Sequence, residues 1–171
     1  MDCLDYWFEK FSKVAMRLET LEEYAIYDTK EFDEFKKFIT NKKIEGFANQ
    51  DWINDINRWN LEGKVIERIR IIPNKKSDYF NYELKWCYPK NIQSGEQILF
   101  VFQEQYEKIR SEIPLLGDFW MFDEKAIVML EYNDQYEYVG CREINQPEVL
   151  DSYKRFYQAL KERSVSYNEL L

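Results

Sequence analysis

Stretches of helical and strand periodicity alternate along 171 residues and predict a single α/β domain, residues 1–171, with a mixed sheet. Three observations carry this expectation. The runs Val65 to Ile72 and Gln97 to Phe102 are nearly continuous in apolar character, as strands covered on both faces are. Amphipathic helical stretches separate and flank them. After Gly117, three apolar stretches follow closely, Phe119 to Phe122, Ala126 to Tyr132 and Tyr136 to Cys141. They are joined by Asp123-Glu124-Lys125 and Asn133-Asp134-Gln135, so a C-terminal antiparallel meander is expected, with helices flanking the sheet.

Leu4, Trp7, Phe8 and Phe11 share one face of a first helix. Met16 to Leu21 alternates apolar and polar residues, as a strand does. Asp28 and Thr29 are caps before a helix with Phe32, Phe35, Phe38 and Ile39 on one side. Asn49 or Asp51 opens a third helix whose buried stripe is Trp52, Ile53, Ile56 and Trp59, and Gly63 stands just past its end. Pro73 stops the strand that begins at Val65, and Ser77 or Asp78 caps a short helix running to Trp86 and closed by Pro89. Ser94-Gly95 turns the chain into the strand Gln97 to Phe102. A polar helix, Gln103 to Ile113, follows and ends at Pro114. Pro147 opens the last helix, with Val149, Leu150, Tyr153, Phe156, Tyr157 and Leu160 on its apolar face.

The chain has no histidine, which removes Ser-His-Asp and Cys-His nucleophiles and ordinary zinc hydrolase sites. No cofactor or metal is expected. Cys3, Cys87 and Cys141 are odd in number, far apart and never in a CxxC pair, so reduced thiols and a cytoplasmic location are expected. The first residues are acidic where a signal peptide is basic, which argues against export. No apolar run approaches the ~20 residues of a membrane helix. The net charge of −8 is concentrated in residues 118–151, which hold nine acids and two bases. Such a surface repels phosphate backbones and attracts basic proteins, so direct nucleic-acid binding is not expected. Solubility alone is the plainer reason for those acids.

Several separated phrases occur in a distinctive order: Arg17-Leu18-Glu19-Thr20-Leu21, Trp52 through Gly63, Arg68 to Pro73, Ser77-Asp78-Tyr79, Ser94-Gly95-Glu96, and Gly117-Asp118-Phe119-Trp120-Met121-Phe122-Asp123. Together they resemble a bacterial family of unknown function, common in high-GC Gram-positive bacteria and often encoded near helix-turn-helix regulators. That resemblance implies no activity. The unit Trp52 to Ile72 and the later Asp-Phe-Trp hairpin are more weakly similar to half of a phospholipase-D-like domain. The hairpin offers Asp118 and Trp120 where that superfamily's motif needs a His and a Lys, so the resemblance implies a scaffold without its catalytic site.

Few residues remain to carry function. Arg68 and Arg70 share a strand face and form a candidate anion clamp, although pairing with carboxylates of a neighbouring strand is the plainer expectation. Asp118, Asp123, Glu124 and Glu131 are a weaker candidate for acid/base or Mg²⁺ chemistry. With Trp120, Tyr132, Asp134, Tyr136, Glu137 and Tyr138 they are the candidate surface for a protein partner. The leading expectation is a non-enzymatic interaction protein that binds a basic partner, with inhibition of a nucleic-acid-handling enzyme as one form of it. A ligand-sensing domain is the first alternative, and a carboxylate enzyme the second.

Overall fold

Parallel pairing of three strands sets the architecture. In the computed structural model, which describes residues 2–27 and 29–171, β1 (Val14–Glu19) runs parallel to β2 (Val65–Ile72), and β2 parallel to β3 (Gln97–Phe102). On the other side of β1, β4 (Phe119–Phe122), β5 (Ala126–Tyr132) and β6 (Tyr138–Ile144) form the expected antiparallel meander. A two-residue strand, β7 (Val165–Ser166), closes the far edge against β3. Among the described residues these make one seven-stranded sheet of order β6-β5-β4-β1-β2-β3-β7. The single-domain α/β expectation with a mixed sheet holds.

Helices cover both faces, so polar strand residues are buried as well as apolar ones. One face carries Met16, Leu18, Ile69, Ile71, Phe119 and Met129 against α6 (Gln103–Ile109) and α7 (Pro147–Lys161). Tyr153 and Phe156 of α7 are fully buried there. The other face packs Ala15, Ile66, Trp120, Phe122 and Val128 under α1 (Cys3–Lys10) and α3 (Gln50–Leu61). Beside them, α4 (Asp78–Tyr82), a π-helical turn at Glu83–Cys87 and α5 (Tyr88–Gln93) form one continuous stretch against Phe100 and Ile72. α2 (Lys30–Ile39) packs Phe32, Phe35 and Phe38 on Tyr79 and Tyr82.

Several boundaries differ from the sequence expectation, each for a local reason. β1 begins two residues early, because Val14 and Ala15 pair with Val65 and Ile66, and ends at Glu19, because Thr20 turns its backbone N–H to the Asp118 carboxylate. Pro89 does not close a helix. The π-helical turn widens the backbone just before it, and Pro89 occupies the first turn of α5, where the missing N–H costs nothing. The third meander strand starts at Tyr138 rather than Tyr136. Asn133 accepts the N–H groups of Gln135 and Glu137 on its side chain, and Tyr136 adopts φ 61°, so these residues form the turn. Ile39 is exposed, and the buried polar residue of α2 is Glu34, held by the Tyr82 hydroxyl and the Ala48 N–H. Thr29 caps α2 as expected; Asp28 lies outside the described residues.

The expectation of three reduced thiols is corrected. Docking of α1 on the sheet brings Cys3 beside Cys141 of β6, with Cα atoms 6.1 Å apart, and the two are joined by a disulfide across 138 residues of sequence. Cys87 stays free and buried.

Candidate functional site

Alternation along the central strands places ionisable residues on the face beneath α1 to α5. Arg17 and Glu19 of β1 lie beside Arg68 and Arg70 of β2, with Asp118 just before β4. Buried charges persist only when paired and hydrogen-bonded, and these are. Arg17 Nε donates to Glu19 Oε1 at 2.9 Å, and Arg68 Nη1 donates to the same oxygen at 2.6 Å. Arg68 Nε donates to Glu96 Oε1 at 2.6 Å, and Arg70 Nη2 to Glu83 Oε2 at 2.9 Å. Asp118 accepts from the Thr20 N–H and hydroxyl and from the Tyr24 hydroxyl, with Arg17 3.6 Å away. Glu96 is positioned by the Gly95 turn, where a β-carbon would collide with the side chain of Asn60. Its second oxygen accepts from Trp52 Nε1 and Asn91 Nδ2.

Above this ladder the helices leave a chamber of about 330 Å³, at the small end of ligand-site volumes. Its floor is Arg17, Glu19 and Arg68. One wall is the aromatic group Phe8, Trp52 and Trp120, with ring centroids 4.9 to 5.8 Å apart. The other holds Tyr24, Tyr79 and Tyr88, with the polar groups Glu31, Asn49, Glu83 and Asn91. Phe8 and Trp52 also line an open outer groove of about 840 Å³, whose charged residues are Asp5, Glu9, Asp55, Glu62, Arg58 and Lys64.

Burial and pairing separate the chamber's protonation states. Burial would raise Glu19, but the Arg68 and Arg17 guanidiniums hold its carboxyl well below the usual range. Burial pushes Glu83 up, opposed by Arg70. It pushes Asp118 up too, opposed by Arg17 and by the Tyr24 and Thr20 hydrogen bonds. Glu31 is different. Burial raises its carboxyl to about 7, the Asn49 amide opposes this, and the acidic groups Glu83, Glu34 and Glu19 reinforce it. It therefore titrates near neutrality. Burial raises the thiol of Cys87 and the phenols of Tyr24, Tyr79 and Tyr88 well above their ordinary values.

The residues expected to form a partner surface are dispersed. Asp118 and Trp120 are 1% and 3% exposed, inside the sheet face, because the strand they occupy is central rather than peripheral. Tyr132 is half-buried with its hydroxyl 3.4 Å from Arg17. Asp123 fastens the chain entering β1, accepting from the N–H groups of Ser12, Lys13 and Val14 and from the Ser12 hydroxyl. Glu124 sits in the β4–β5 turn with φ 57° and faces solvent. Glu131, Asp134, Tyr136, Glu137 and Tyr138 are exposed at the β5–β6 end. Asp118, Asp123, Glu124 and Glu131 therefore do not converge, and among the described residues no group of three His, Cys, Asp or Glu is placed to hold a metal ion. Arg68 and Arg70 share a face, but both are occupied by carboxylates and Arg70 is 0% exposed, so they are no open anion clamp.

Sequence reasoning passed over Glu19, Glu31, Glu83 and Glu96. For Glu19 and Glu96 a signal was present: charged residues at strand spacing in runs otherwise buried on both faces imply buried counter-ions. Glu31 had none, since it reads as an ordinary first-turn helix acid. Among the described residues no helix is long and apolar enough to cross a membrane. A family model whose description is a domain of unknown function matches residues 2–171. A search of curated proteins found no match. The phospholipase-D-like resemblance gains no support from these comparisons.

Proposed function

We propose, for a chain that belongs to the DUF6879 family, that it is a small-molecule-binding domain whose ligand occupies the chamber above β1 and β2. The observation that carries this reading is the coexistence, in one concave site, of an aromatic wall, a fixed charged floor and a buried acceptor left without a partner. Asn91 is 5% exposed, and its Oδ1 has no hydrogen-bond partner, although buried acceptors are almost always satisfied. Binding is the activity that this lining supports. A thermal-shift screen of chemically varied small molecules tests it. Stabilising compounds are expected for the wild type and should lose their effect in Asn49→Trp, which fills the chamber from a half-buried position. A screen without any compound sensitive to Asn49→Trp would end this reading.

A second reading, association with a basic protein, is favoured by the exposed Tyr136, Tyr138 and Val139 set among Glu131, Asp134 and Glu137 on the edge strand β6 and its turn. Replacing the three acids by Gln, Asn and Gln should slow association with a co-purified partner, most at low ionic strength. Unchanged rates would assign these acids to solubility.

A further inference from the structure

The chamber's lining carries more acid than base and an unfilled buried acceptor. Each floor guanidinium already has a carboxylate: Arg17 has Glu19, Arg68 has Glu19 and Glu96, and Arg70 beneath the wall has Glu83. Among the lining residues the carboxylates Glu19, Glu83 and Glu31 outnumber the guanidiniums Arg17 and Arg68, and no ion pair of Glu31 is found among the described residues. Asn91 Oδ1 is also an acceptor. Its orientation is fixed because Nδ2 must be the atom facing the Glu96 carboxylate, at 2.9 Å. An unfilled donor, Arg70 Nε, lies below the lining residues rather than among them. The lining therefore carries an excess of carboxylates and an unfilled buried acceptor, and its aromatic wall offers ring faces that attract cations.

We propose that the chamber takes an organic ammonium ion with a flat apolar body, its N–H groups donating to the Glu31 carboxylate and Asn91 Oδ1 and its body lying against Trp52 and Trp120. This rests on the chamber being a ligand site. The outer groove fits the same ligand, since it presents four carboxylates against two basic groups along the approach to Phe8 and Trp52. Anions are disfavoured, because admitting one would require stripping a guanidinium from its buried carboxylate.

Three probes of one shape separate charge from fit: 2-phenylethylammonium, 2-phenylethanol and 3-phenylpropionate, titrated by calorimetry and tryptophan fluorescence at about pH 8, where Glu31 is mostly ionised. The ammonium ion should bind about tenfold or more tighter than the alcohol, as a charge-assisted hydrogen bond in a desolvated site does, and the carboxylate should bind least. Glu31→Gln should weaken the ammonium ion by about tenfold and bring it close to the alcohol, with folding checked by circular dichroism. Tighter binding of the alcohol or the carboxylate, or a preference for the ammonium ion that survives Glu31→Gln, overturns the ammonium assignment and leaves the chamber as a site for another ligand. Failure of all three probes also overturns it, and the Asn49→Trp comparison then decides the chamber reading on its own.

Discussion

At the scale of single residues, Glu31 and Arg68 make opposite predictions. The Glu31 carboxyl is raised from 4.5 to about 7 in the folded chain by burial, reinforced by the acidic groups Glu83, Glu34 and Glu19. Between those two pH values the folded state holds a proton that the unfolded state has released. Its contribution to stability is complete below about pH 4.5 and is lost as pH rises through 7, by up to about 3 kcal/mol. Denaturant titrations across this window should show the decline for the wild type and a flatter profile for Glu31→Gln. Arg68 is the common neighbour of Glu19 and Glu96. Arg68→Ala removes one charged partner from Glu19, which keeps Arg17, and the only ion-pair partner that Glu96 has among the described residues, and should cost about 3–5 kcal/mol of stability at neutral pH, measured by chemical denaturation. The Arg68 and Arg70 spacing was legible in the sequence, and so was their pairing with acids as the plainer outcome. Glu31 was not, because its behaviour comes from the walls that α3, α4 and the turn after it place around it, and local spacing carries no trace of those.

At the scale of elements, α1 acts as a strap. Tyr138 donates its hydroxyl to Asp2 at the helix N-cap at 2.7 Å, Trp7 donates from Nε1 to Glu143 at 2.9 Å, and Cys3 bonds to Cys141, so three ties hold an eight-residue helix to the meander. Leu4 and Phe8 on its inner side complete the chamber wall. Replacing Cys3 and Cys141 by Ser should therefore lower stability by about 2–4 kcal/mol and also weaken ligands of the chamber. A drop in melting temperature with unchanged ligand-induced shifts would show the wall to be independent of the tie. Helical and strand periods located nearly every element, because each buries a face. The short β7 and α8 (Tyr167–Leu170) were too brief to leave a pattern. The π-helical turn was hidden because Pro89 looks like a terminator when the backbone before it is assumed to be regular.

At the scale of the whole molecule, a sheet covered on both faces accounts for what the charge pattern conceals. Acid excess in residues 118–151 reads as surface, yet Asp118 is interior and Asp123 is engaged with the chain before β1. A sequence count cannot distinguish a carboxylate that meets solvent from one that meets a guanidinium across the sheet. The disulfide also makes the polypeptide a lasso. Cys3 to Cys141 encloses β1 to β5 and part of β6, whereas α7, β7 and α8 lie outside the ring and are held by packing, the β3–β7 pairing and polar contacts such as Lys161 with Glu67, all non-covalent. A single nick inside the ring leaves the pieces as one molecule until a reductant is added, and a nick near Asn145 frees the C-terminal piece under denaturing conditions without one. Limited proteolysis followed by paired reducing and non-reducing gels should sort cleavage sites into these two classes.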